Sequence, residues 1–156
     1  KLKEVLESEY TIKSHAGISY FLGMQIDRDS SRGWMKLHLK KYLTDVLIRC
    51  NMAECNPSAV PGNVSIQISK DMCCKTEGDR SFMSNKPYRS VIGSLMFAAV
   101  VCSPDIATPA CLLARYVENP GPRHWKALKM VLRYVAGTLD HGIDRVWKQG
   151  KARRVC

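Results

Sequence analysis

Three sets of side chains in this sequence have types and spacings that could do chemistry. Asp27 and Asp29 form a close acidic pair, and converging carboxylates are what a divalent cation and two-metal phosphoryl transfer require. They flank Arg28 in the polar run "DRDSSRG", where aspartates bond to nearby backbone N–H groups and make turns, so turn formation is the expected role. Seven cysteines stand at positions 50, 55, 73, 74, 102, 111 and 156, without a CxxC pair or a nearby HxxxH. Cys50, Cys55, Cys73 and Cys74 with His38 are irregularly spaced for tetrahedral zinc, which leaves buried thiols in a reducing compartment as the expectation. His15, His38, His124 and His141 are isolated, and no Ser/His/Asp order, phosphate loop or HExxH occurs. Neither a catalytic residue nor a metal site is expected. The third set is Arg89, Gly93 and Phe97, a row at i, i+4 and i+8 within "PYRSVIGSLMFAAV", flanked by Lys86, Ser90 and Ser94. A glycine inside a helix costs about 1 kcal/mol relative to alanine and calls for a reason. Two remain open: close helix packing at a small residue, or a smooth face, basic at one end, that lies in a wide shallow groove such as an RNA/DNA hybrid offers.

Periodicity gives the elements that must hold these residues. Leu2, Val5 and Leu6 have helical spacing, so 1–10 reads as the end of an amphipathic helix. From Ser19 to Asp27 the period changes to two, with Tyr20, Leu22, Met24 and Ile26 on one face. This is a strand in whose interior Gly23 leaves bare backbone open to close approach. The turn residues that follow and the alternation of "WMKLHL" from Trp34 complete a β-hairpin. Tyr42, Leu43, Val46, Leu47 and Cys50 mark a helix ending near Asn51.

Residues 53–86, rich in Pro, Ser, Asn and Asp with apolar interruptions at Val64, Ile66 and Ile68, read as a long, partly ordered connection. Three helices follow. Pro87 opens the first, Ser103 caps the second ahead of Pro104, and Asn119–Pro120 introduces a third that Gly137 stops. Pro109 should kink the middle helix or remove its first turn. Tyr88, Val91, Ile92, Leu95, Met96 and Ala99 form the core stripe of the first helix, and Trp125, Leu128, Val131, Leu132 and Val135 that of the last. The solvated side of the last helix, Arg123, Lys126, Lys129 and Arg133, could meet phosphates.

The net charge of +10 favours a polyanionic partner, and the excess concentrates after Pro120. No apolar run approaches the roughly 20 residues of a membrane span, and no signal peptide is visible. Lys1 opens inside the first helix, so the chain reads as a piece of something longer.

In order, "YFLGMQIDRD", "HLKKYL", "PYRSVIGSLMFAA", "SPDIA" and "LLARYVENPGPRHWKALKMVLRYVAGTLDHGI" resemble the C-terminal part of the reverse transcriptase in copia-type LTR retrotransposon polyproteins, over residues 1–143. The resemblance implies an α+β, mostly helical fragment: a small hairpin followed by a helical bundle like a polymerase thumb. It divides the chain into a palm remnant with the hairpin at 1–52, a connection at 53–86, a thumb-like unit at 87–143 and a basic tail at 144–156. Phe21, Leu22, Gly23 and Met24, with the hairpin to Trp34, resemble the primer grip. The helix bearing Arg89, Gly93 and Phe97 resembles the thumb helix that tracks the minor groove of the nascent duplex, and Arg123 and Lys126 would touch phosphate.

The implied partners are an RNA/DNA or DNA primer–template duplex and the upstream palm and downstream RNase H parts of the same polyprotein, with no membrane. The implied location is intracellular, in the cytoplasm, a virus-like particle or the nucleus. The catalytic Tyr-x-Asp-Asp would precede Lys1, so the Mg²⁺ expected for the parent enzyme has no ligands here. The sequence departs from the family at Ser103, usually arginine, and at Pro109. A helical protein-interaction module with a solvated basic face, or a non-functional remnant of a decayed element, are the alternatives.

Overall fold

The strand expected from Ser19 to Asp27 breaks at its own glycine. In the computed structural model, which describes residues 18–62 and 68–146 together with Val5, Ser8 and Tyr10, Leu22 and Gly23 take positive φ, 49° and 84°. Two left-handed residues in succession are what a two-residue hairpin turn needs to match the twist of its strands. The chain therefore reverses between β1 (Tyr20–Phe21) and β2 (Met24–Asp29), which pair antiparallel with Phe21 opposite Met24. Gly23 is a turn residue and not the interior of a strand.

After the expected polar turn, β3 (Trp34–His38) returns along β2 with Asp29 opposite Trp34. Asp29 Oδ1 accepts from the Ser31 and Arg32 N–H groups at 2.9 and 3.1 Å, the turn role its position suggested. A fourth strand, β4 (Gly142–Val146), lies along the other side of β3, with Trp34 opposite Val146 and His38 opposite Gly142. The sheet is antiparallel throughout, in the order β1-β2-β3-β4. Residues 144–146, expected to open a basic tail, are thus the end of an edge strand. The expected helix over 1–10 falls largely outside the described residues, and His15, Val64, Ile66 and the basic positions from Lys148 onward fall wholly outside them.

Helix α1 (Lys40–Arg49) follows β3 directly, and Gln25 Oε1 of β2 accepts from the Lys41 N–H at 2.9 Å. That bond satisfies one of the helix's unpaired first-turn donors and ties α1 to the hairpin. The connection expected over 53–86 contains more order than its composition suggested: a 3₁₀ turn at Lys70–Met72 and α2 (Glu77–Ser84). Thr76 and Asp79 cap α2 reciprocally, each side chain accepting from the other's N–H.

The three later helices are α3 (Tyr88–Val101), α4 (Ala107–Ala114), entered through a 3₁₀ turn at Pro104–Ile106, and α5 (Pro122–Gly137). Pro109 falls in the first turn of α4, where its missing N–H has no helical acceptor to lose. The cap of α5 is Gly121 in place of Asn119, with Pro122 at the first helical position. A Cβ at Gly121 would sit 1.9 Å from the Met72 carbonyl oxygen, so only glycine lets the chain pass there.

Leu39, Val46 and Leu47 beside the hairpin are buried in the same cluster as Leu95 of α3, Leu113 of α4 and Leu128 and Leu132 of α5. Each such side chain contributes roughly 1.5–3 kcal/mol by leaving water. Helix accounts for about half of the described residues, so the chain is α+β with a substantial sheet and is less helical than expected.

Candidate nucleic-acid interface

Residues four apart on a helix stack on one face, and the structure separates the two faces of α3 cleanly. Tyr88, Val91, Ile92, Leu95, Ala98 and Ala99 are buried, while Arg89, Gly93 and Phe97 are exposed. Val100 extends the open side. Ser94, expected to flank the open row, is buried instead. A Cβ at Gly93 would meet nothing within 4 Å. Close packing of another described helix is therefore not the reason for this glycine.

The hairpin comes to this face at Phe97. A Cβ placed on Gly23 would lie 3.9 Å from Phe97 Cε1 and 4.0 Å from Cζ, ordinary contact distance. On another side the same ring meets Tyr42 of α1 edge-on, with centroids 5.2 Å apart and planes at 64°. Three elements far apart in sequence converge on one aromatic ring. Around it Phe21 and Leu22 are exposed, Leu22 by 72%. Lys41 Nζ stands 6.0 Å from the Tyr20 ring centroid, at the outer limit of a cation–π contact. Tyr20, Lys41 and Tyr42 were not among the expected site residues. Tyr42 read as one more apolar position of α1, and only the fold reveals that its ring leaves that stripe for Phe97.

Other expected contacts are not part of this convergence. Met24 is half-buried against the core. Trp34 lies at the opposite end of the β2–β3 ladder, opposite Asp29, which is five residues along β2 from Met24 and so roughly 17 Å away at the usual strand rise. Arg123, Lys126 and Lys129 are exposed on α5, and among the described residues no hydrogen bond or ion pair joins them to the α3 row. Arg133 is exposed too, and its Nε donates to the Asn56 carbonyl at 2.6 Å.

Asp27 sits in β2, where its Oδ2 is 3.1 Å from His38 Nε2. The hydroxyl of Ser31 and the Arg32 N–H hold the Asp29 carboxyl below its usual range. Each carboxylate is thus committed locally, and among the described residues no group of three or more His, Cys, Asp or Glu side chains could hold a metal ion. These residues do not fit a two-metal centre.

Cys74 donates to the Pro120 carbonyl at 2.9 Å. His124 is fully buried, stacked on Tyr116 at 4.5 Å, and its Nδ1 accepts the Gly121 N–H at 3.0 Å. Burial, offset only in part by the backbone of Ser69, lowers its pKa, so it stays neutral and caps α5. The convergence can hold a molecule by shape, stacking and flanking charge.

Among the described residues no helix is long and apolar enough to cross a membrane. The chain matches no protein-family model and no solved structure. It is 38% identical over 138 residues, 88% of its length, to the retrovirus-related Pol polyprotein from transposon TNT 1-94 of Nicotiana tabacum. It is 34% and 32% identical, over 90% and 88% of its length, to the retrovirus-related Pol polyproteins from transposons RE2 and RE1 of Arabidopsis thaliana. The chain spans about a tenth of the length of these relatives.

Proposed function

We propose, from the premise of this similarity to one segment of copia-type transposon Pol polyproteins, that the chain positions the primer–template duplex of a reverse transcriptase. In this reading the β1–β2 turn at Phe21–Met24 is the primer grip, and the Arg89–Gly93–Phe97 face of α3 lies along the minor groove. Arg89, Arg123 and Lys126 add phosphate contacts that carry affinity without sequence preference. Mg²⁺ and the carboxylates that hold it belong to another segment of the polyprotein, and the palm and RNase H parts are this segment's covalent partners. It works inside the cell, where the element is copied.

The observation that carries the reading is the meeting of Gly23, Tyr42 and Phe97. A primer grip and a minor-groove helix can act on one duplex only if they share a surface, and the approach of the β1–β2 turn to Phe97 supports that reading. The open space over Gly93 is the second support, since bare backbone suits close approach by sugar edges in a wide, shallow groove. The net charge of +10 supplies the attraction to a polyanion.

The test is fluorescence anisotropy of a labelled RNA/DNA primer–template with the whole chain across a salt series. Affinity that falls steeply with salt and drops on Phe97→Ala supports the reading. Indifference of the Phe97→Ala variant, or equal binding to any polyanion, overturns it and favours a protein partner for exposed Leu22 and Val100.

A further inference from the structure

We infer that Arg49 is a further nucleic-acid contact of this surface, a guanidinium that α1 delivers to the Gly93 side of α3 for a backbone phosphate. The inference rests on the duplex-positioning reading and adds to it a residue that neither the sequence pattern nor the expected site contained.

Arg49 is the last residue of α1 and is exposed. Its Nη2 donates to Ser94 Oγ at 3.4 Å, and Ser94 is the buried neighbour of Gly93. The hydroxyl thus holds one of the five donors of the guanidinium beside the open position in the row. Ser94 and Phe97 are three residues apart, about 4.5 Å along the helix axis, so this cation borders the Gly93–Phe97 stretch from the side of α1.

Some exposed cations are matched by acids, Arg32 with Asp29, Lys40 with Asp140 and Arg80 with Glu77. Among the described residues no carboxylate pairs with Arg49. A planar fork held by one weak bond and otherwise unmatched keeps the geometry for bidentate phosphate recognition. Ser94 also has a reason for its burial here: it is a positioning residue for a charge on another helix.

A basic residue in a helix's last turn also favours that helix through its dipole. This simpler role predicts a small loss of stability and no effect on binding. The two are separated by the salt dependence of binding.

The probe is a labelled RNA/DNA hybrid primer–template, titrated with the whole chain and its variants at several KCl concentrations, with helicity checked by circular dichroism. Arg49→Gln should weaken binding about 3- to 10-fold at low salt and reduce the log–log salt slope by about 1, as loss of one phosphate contact does. Arg49→Lys should restore the slope, and Ser94→Ala should weaken binding less while leaving the slope unchanged, because the charge remains. An unchanged slope in Arg49→Gln, with Phe97→Ala still damaging, overturns the Arg49 assignment alone. No hybrid binding by the wild-type chain, or none that depends on Phe97, overturns the positioning reading and this inference together.

Discussion

Phe97 is held edge-on by Tyr42, centroids 5.2 Å apart, while the Gly23 turn faces its Cε1–Cζ edge. An aromatic pair in this geometry is worth roughly 0.5–1.5 kcal/mol beyond the area it buries. Phe97 is 37% exposed, so its truncation opens no closed cavity. Phe97→Ala should cost about 1–2 kcal/mol in urea unfolding, well short of the ~3–5 kcal/mol typical of a core phenylalanine. Its effect on hybrid binding should be at least about 5-fold, the ratio that corresponds to about 1 kcal/mol, the lower end of that stability loss.

Gly93→Ala should move stability and binding in opposite directions. The added methyl meets nothing within 4 Å, and alanine is the better helix former by up to ~1 kcal/mol. The midpoint of chemical unfolding should therefore rise. Hybrid affinity should fall, because the methyl stands where the duplex would approach. A variant that lost stability would return the glycine to a packing role.

Leu22 holds a left-handed conformation at φ 49° while the residue is 72% exposed. A γ-branched apolar residue gains nothing from that position in folding, whereas asparagine is at home in such a turn. Leu22→Asn should stabilise the chain by roughly 0.5–1 kcal/mol, measured by thermal or urea unfolding. It should also weaken hybrid binding, since the exposed side chain is the part of the turn that reaches outward.

The buried imidazole of His124 sets the acid limb of stability. Its pKa in the fold lies below the ordinary value of 6.5. Between those two values the unfolded chain takes up the proton and the folded chain does not, so this contribution is intact above about pH 6.5 and is lost as pH falls below it. Urea midpoints measured from pH 7.5 down to 5 should decline for the wild type. His124→Asn, which can accept the Gly121 N–H without titrating, should flatten that decline.

Elements with a strong period were legible in the sequence. The helix over Tyr42–Cys50, the buried stripe of α5 from Trp125 to Val135 and the open row of α3 all follow from spacing alone, because burial on one face writes itself into residue type. The edge strand β4 was not legible. Its two large apolar residues, Ile143 and Val146, do not alternate and both stay exposed, so its pairing is a matter of backbone bonds to β3.

The break at Leu22–Gly23 was hidden because "YFLGMQI" keeps an alternating pattern straight through the turn. Helix α2 was hidden by its polarity, although the Thr76–Asp79 capping pair was present in the sequence. Of the candidate site, Gly23 and Phe97 were named separately, and their contact was beyond any local pattern. Tyr42 and Arg49 were missed for the same reason: what matters about each is a neighbour on α3.

The pairing of β3 with β4 places Trp34 beside Val146, near opposite ends of the described chain. Contacts closed over so long a loop form slowly, since the entropy of closure is lost before the ladder repays it. The α3–α4 pair, by contrast, involves neighbours along the chain and can assemble early. During synthesis the outer edge of β3 therefore stays bare until β4 emerges to pair with it.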